Sequence, residues 1–268
     1  MKCWEREKLK RVIYYSDEQL DDFAGTNIAQ KNVGKGFPFL REGLLWRILS
    51  FFAYYIVAMP LAFIITKVWL GLRLENLRSL RGIRGGFFLY GNHTRDLDAL
   101  IPALCAFPRR AYVVANPDAV SIPGLRNIVL LLGCIPIPND REAMPEFMEA
   151  VRRRGQEGGC IAIFPEAHVW PFYTGIRCFG PVSFHYPARE DLPAVAMCTR
   201  YRRRLFGLLP PAMTVTFSEP MEPDMSLPLP KRKEELRDRV YSFMCRKSSE
   251  PGNEEWIKYV YKDPDEVL

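Results

Sequence analysis

The sequence predicts an α/β fold: a mostly parallel sheet flanked by helices, preceded by an N-terminal membrane-associated helical segment. Three observations carry this. Beyond Arg84, short apolar runs alternate with amphipathic stretches, the pattern of strand–helix units. Ahead of them lies an uncharged run, "ILSFFAYYIVAMPLAFIIT" (48–66). The 268 residues, 48% hydrophobic and 25% charged, can bury the core of one or two domains.

Residues 1–43 read as an irregular, polar N-terminal arm ending in "NVGKGFPFL". Residues 44–72 form the membrane-associated segment. Its uncharged run nearly reaches the ~20 helical residues that hydrocarbon requires. Pro60 interrupts it and is expected to kink or break the helix, leaving one span, two short helices dipping into one leaflet, or a buried core helix as readings. Basic residues on both sides (Arg41, Arg47, Lys67, Arg73) leave its orientation open.

Residues 73–248 read as the α/β domain. Strands are expected at 86–90, 111–116, 134–138, 160–166, 193–199 and 213–219. Helices are expected at 97–107, at 122–133 with Pro123 in the first turn, at 143–159 and at 231–246. Met144, Phe147, Met148 and Val151 put one apolar face on the third helix. Residues 249–268 remain as a C-terminal tail.

Active sites of parallel sheets form at the carboxyl ends of strands. Two polar blocks fall there: "YGNH" at the strand 86–90 and "FPEAH" at the strand 160–166. His93 and Asp98 lie in "NHTRDLD", with His93 leaving the strand and Asp98 opening the next helix. A chain reversal there brings the carboxylate to one imidazole nitrogen, leaving the other to take a proton. No serine has a G-x-S-x-G setting, so the hydroxyl to be activated belongs to the substrate. The plain alternative makes the same residues a helix start, with Asn92 or Thr94 as cap and Asp96 and Asp98 facing the dipole.

"NHTRDLD" (92–98), a preceding membrane-seeking segment and "FPEA" (164–167) together resemble the glycerolipid acyltransferase family, over roughly residues 45–220. "LPAVAM" (192–197) looks like that family's third block. The resemblance implies that His93 and Asp98 are the catalytic pair and that Glu166 binds the acceptor. It implies acyl transfer from acyl-CoA or acyl-carrier protein to a lysolipid hydroxyl, most simply 1-acyl-sn-glycerol-3-phosphate. It further implies membrane lipid as partner, an active site facing the cytoplasm, and no metal or redox cofactor. Asn92 joins the substrate-binding candidates.

The sequence departs from the family at its phosphate sites. Asn139 stands where an arginine is common, with Arg141 two residues on. The second block reads "FPEAHVW" in place of F-P-E-G-T-R, so Ala167, His168 and Val169 replace Gly, Thr and Arg. Arg141, Arg177 and Arg95 are the candidates to supply the missing charge, and His168 is a candidate acceptor contact. A non-phosphate-monoester acceptor and a non-catalytic lipid-binding relative are the alternatives. A zinc site of His93, Asp98, Glu166 and His168 lacks H-E-x-x-H spacing. The aromatic "VWPFYTG" (169–175) either lines an acyl groove or packs a loop.

A net charge of +6 suits anionic lipid, and no RNA or zinc-finger motif supports nucleic acid as a partner. The basic clusters 152–154 and 199–204 read as solvated faces or contacts for lipid or coenzyme A phosphates. Seven scattered cysteines without a C-x-x-C pair point to a reducing compartment, and the charged start "MKCWEREKLKR" is no secretory signal.

Overall fold

The structure, a computed structural model, describes residues 11–23, 31–205 and 209–263. Strand β1 (Arg11–Tyr15) comes first, then a long helix, Leu44–Trp69. The strands that follow are β2 (Arg73–Glu75), β3 (Phe87–Gly91), β4 (Ala111–Ala115), β5 (Cys134–Pro136) and β6 (Cys160–Ile163). The chain then adds β7 (Ala194–Arg204), β8 (Leu209–Phe217) and β9 (Ile257–Tyr261).

Seven strands form one sheet in the order β2-β8-β7-β3-β6-β4-β5, with every neighbour parallel except the antiparallel pair β7–β8. The predicted class, mostly parallel and flanked by helices, is the observed one. Central β3 is buried along its whole length, as its unbroken apolar run requires. Its residues alternate between two cores. Phe87 and Leu89 pack with Ile101, Val195 and Met197 on one face. Phe88 and Tyr90 pack with Phe147, Val151, Leu236 and Val240 on the other, under helices Met144–Gln156 and Leu229–Ser248.

Pro60 does not break the long helix. The helix opens into wider i→i+5 turns over Phe52–Ala58, where the Met59 N–H reaches the Tyr54 carbonyl, and again over Ile65–Trp69. Pro60 falls at the start of the α-helical stretch Met59–Ile64, where one missing N–H is tolerated. The wider turns also align the buried stripe Ser50, Tyr54, Ala62 and Thr66. These positions are multiples of four apart and would drift ~40° per four residues in an α-helix. The stripe docks on the domain. The Ser50 hydroxyl donates to the Leu131 carbonyl at 2.6 Å and the Tyr54 hydroxyl accepts the Ala111 N–H at 2.9 Å, while Thr66 is buried with its hydroxyl on the Phe63 carbonyl of the same helix. The rest of the helix is exposed, so it is not a core helix.

Other expectations change as well. The arm contains a strand, β1, which pairs in parallel with β9 from the tail. The helix expected at 122–133 is only Arg126–Leu131, because Gly124 takes a left-handed turn (φ +79°) after Pro123. Strand β7 runs on through the basic cluster 199–204, whose arginines are engaged. Arg200 pairs with Glu75 (3.0 Å) and Glu250 (2.9 Å). Arg202 and Arg204 donate to the carbonyls of Gly71 and Trp69 at the end of the long helix, where free carbonyls attract cations. Arg152, Arg153 and Arg154 form a surface ion-pair lattice with Glu149, Glu42 and Glu157.

Candidate active site

Beyond Gly91 the side chain of Asn92 replaces the main chain in pairing with β7. Its Nδ2 donates to the Thr199 carbonyl (3.1 Å) and its Oδ1 accepts the Thr199 N–H (2.7 Å). Asn92 is buried, and its whole bonding capacity toward β7 goes into holding the strand end. The chain is then free to turn while β3 stays in register.

His93 follows and is held on both sides. Its N–H donates to Glu166 Oε2 (3.1 Å), and its carbonyl accepts the Trp170 N–H (3.1 Å). The ring stacks on Phe164 at 4.6 Å between centroids. Its Nδ1 lies 3.5 Å from Asp98 Oδ2. That length suits a site without substrate, where catalytic hydrogen bonds are often loose. Asp98 is 0% exposed, and its Oδ2 also accepts the N–H groups of Thr94 (2.7 Å) and Arg95 (2.9 Å). The helix-start explanation and the His–Asp pairing therefore coexist in one residue.

Glu166 and Arg177 turn inward. Their side chains are each 1% exposed and meet at 3.2 Å. Glu166 Oε1 accepts the Arg177 N–H (3.1 Å), and the Arg177 guanidinium also donates to the His168 carbonyl and lies over the Trp170 ring. Burial pushes the Glu166 carboxyl up, and Arg177 with the two main-chain donors pulls it back. Glu166, Arg177 and Asn92, the substrate-binding candidates of the sequence, do not line the cleft in this structure. All three are buried in bonds that shape the loops.

His93 lines a cleft of about 700 Å³ at the carboxyl ends of β3, β6 and β4. Its walls are largely apolar, with Val113, Ile122, Ile137, Phe147, Ile163 and Val182 among them. Asp22, Asp96 and Asp118 are its charged members, and no lysine or arginine lines it among the described residues. Arg141 is exposed outside this lining, and Arg95 lies over the Phe172 ring at 4.6 Å. His168 has Nδ1 3.5 Å from Asp22, without hydrogen-bond geometry. The amides of Ala167 and His168, natural candidates for an oxyanion hole, are bonded to the carbonyls of Phe164 and Glu166. Ala167 adopts the left-handed conformation (φ +66°) that the more usual glycine would take without strain.

Several contributors escaped sequence reasoning. Phe164, the first residue of the F-P-E block, supports the imidazole. Trp170 packs the loop instead of lining a groove, stacked on Tyr259 at 4.8 Å and donating to the Asp21 carbonyl at 2.8 Å. Of that aromatic stretch, Val169 reaches the cleft. Tyr201 holds Thr94 Oγ1 at 2.7 Å from β7. Trp170 had a signal, its aromatic surroundings, whereas Tyr201 lay hidden in a basic cluster.

The site thus sets a buried carboxylate against a histidine, at the carboxyl end of a mostly parallel sheet and beside an apolar cleft. The sequence model of the acyltransferase family matches residues 72–197. Over that span, just under half of its length, the chain is similar to acyltransferases, which supports an O-acyltransferase of the glycerolipid type. The crystal structure of the 1-acyl-sn-glycerophosphate (LPA) acyltransferase PlsC from Thermotoga maritima has a similar fold. Its TM-score is 0.51 at 15% identity, over 77% of this chain and 96% of that one. No curated protein matches the chain.

Proposed function

We propose that the protein moves a fatty acyl group from an acyl-CoA or acyl-carrier-protein thioester to a lysophospholipid hydroxyl. The carrying observation is the His93 ring, 3.5 Å from fully buried Asp98 and set in the wall of an apolar cleft. His93 takes the proton of the acceptor hydroxyl, and the oxygen attacks the thioester carbonyl. The tetrahedral intermediate collapses to an ester, and the departing thiolate takes the proton back. Asp98 holds the Nδ1–H tautomer and stabilises the imidazolium. Glu166 acts through His93, fixing its main chain. No resident metal or redox cofactor takes part in this scheme.

The acceptor expected from the sequence is 1-acyl-sn-glycerol-3-phosphate, which is also the kind of substrate in the name of the Thermotoga maritima enzyme. A second reading, an acceptor without a phosphate monoester, is favoured by one observation. The cleft lining carries Asp22, Asp96 and Asp118 and no arginine or lysine among the described residues. Three carboxylates repel a dianionic head group, and an arginine fork is what normally holds one.

The exposed apolar face of Leu44–Trp69 supports membrane association. Its polar stripe is tied to the domain at Ser50 and Tyr54, so we read it as lying within one leaflet, and the scattered cysteines of the sequence support a cleft open to the cytoplasm.

The deciding experiment is transfer from labelled acyl-CoA to a panel of lysolipids, with and without a phosphate monoester, for wild type and His93→Ala. Transfer that His93→Ala retains in full would overturn the mechanism. Transfer confined to other acceptors would keep the mechanism and replace the first acceptor by the second. If acyl-CoA gives no product, the panel is repeated with acyl-carrier protein.

A further inference from the structure

A second cavity, about 590 Å³, lies at the opposite end of the sheet from His93, where the long helix begins. Arg110, just ahead of β4, and Cys134, the first residue of β5, place it at the amino ends of those strands. Arg41, Arg47, Arg110 and Arg154 line it, against a single acid, Glu157. Glu157 is already paired with Arg153 (3.2 Å) and Arg154 (2.7 Å). No carboxylate pairs with Arg41, Arg47 or Arg110 among the described residues.

Arg41 and Arg110 are held in place. Arg41 lies over the Trp46 ring at 4.4 Å. Arg110 lies over Tyr54 (4.9 Å) and Tyr112 (5.3 Å), with one nitrogen on Ser50 Oγ at 2.6 Å. The Nε atoms of Arg41 and Arg110 are buried without a hydrogen-bond partner. Burial and the neighbouring Arg126 make the charge on Arg41 costlier to hold. Guanidinium groups gathered without a counter-ion are explained most directly by an anion that completes them.

The remaining wall says which kind. Leu44, Ile48, Phe51 and Phe52 of the long helix border the cavity and continue into its exposed apolar face. A ligand seated there meets arginines at one end and hydrocarbon at the other. We infer that this cavity binds the phosphate of an anionic membrane phospholipid, whose acyl chains lie along the long helix, as a site separate from the catalytic cleft. The bound lipid would anchor the start of the helix to the domain. This inference does not depend on acyl transfer, and its readout is binding.

The test uses the full chain in non-ionic detergent, titrated with dioctanoyl phosphatidylglycerol and followed by its thermal melt. Wild type gains a saturable rise in Tm. Arg41→Gln/Arg47→Gln binds about tenfold more weakly, as does dioctanoyl phosphatidylcholine to wild type. His93→Ala binds as wild type does. Equal affinity of the double variant, equal affinity for phosphatidylcholine, or loss of binding in His93→Ala would each overturn the site. An equal shift with inorganic phosphate alone would make it a free-anion site and overturn the lipid. If the double variant does not melt cooperatively, Arg47→Gln alone decides, since Arg47 is exposed.

Discussion

The main-chain N–H of His93 donates to the carboxylate of Glu166 at 3.1 Å. This bond joins the two polar blocks of the sequence, and the Glu166 carboxylate reaches onward to Arg177. The acid of the second block thus acts on the histidine of the first from beneath, through its backbone.

Glu166→Gln should therefore cost stability as well as activity. It leaves the Arg177 guanidinium buried and unpaired, at a cost of about 3 kcal/mol, or roughly a 10 °C fall in Tm. Replacing Arg177 by Met in the same chain should recover part of that loss. Lost activity with an unchanged melting curve would instead put Glu166 in contact with substrate.

Asp98→Asn should reduce kcat by about 10² to 10⁴. The asparagine can still accept the Thr94 and Arg95 N–H groups through its oxygen, so the loop should persist. The amide cannot stabilise an imidazolium. A near-normal rate with a normal melting curve would remove Asp98 from the mechanism.

Ala167→Gly should stabilise the chain. The left-handed backbone there costs alanine about 1–2 kcal/mol, part of which the flexibility of glycine cancels in the unfolded chain. A net gain of about 0.5–1 kcal/mol, or roughly 2 °C, is expected from a thermal melt. A loss of stability would mean that the alanine methyl contributes more than its strain costs.

Trp170→Ala should cost about 3–5 kcal/mol by removing a buried ring between Tyr15, Tyr173 and Tyr259. That ring also joins the β1–β9 pair to the loop whose amide bonds the His93 carbonyl. Activity should fall at temperatures where the chain is still folded. Full activity below the melting range would show that the terminal pair does not support the site.

Phe52→Glu/Ile56→Glu should release the protein from anionic vesicles in a flotation assay, weakening binding at least about tenfold. Both side chains are more than half exposed, so folding should not suffer. Unaltered flotation would mean that the membrane is met elsewhere.

Much was legible in the order of residues. Apolar runs of strand length and amphipathic stretches follow from local side-chain chemistry, so the α/β class, a strand at 86–90 and an apolar helical segment ahead of it could be read from the residues. The pairing of His93 with Asp98 comes from the family resemblance, because their five-residue spacing alone fits a helix start equally well. Contacts between distant segments could not be read. Charge in a sequence carries no burial, so nothing announced that Glu166 and Arg177 would pair with each other, their side chains 1% exposed. Arg141, a candidate because it lies two residues past Asn139, stands exposed outside the cleft lining. The pairing of β1 with β9 joins residues at opposite ends of the chain, where local pattern has no partner to register against. Pro60 left open whether the helix is one span or two, and wider turns with a docked polar stripe keep it continuous. Local propensity is a small free energy, and packing the Ser50–Tyr54–Thr66 stripe on the domain overrides it.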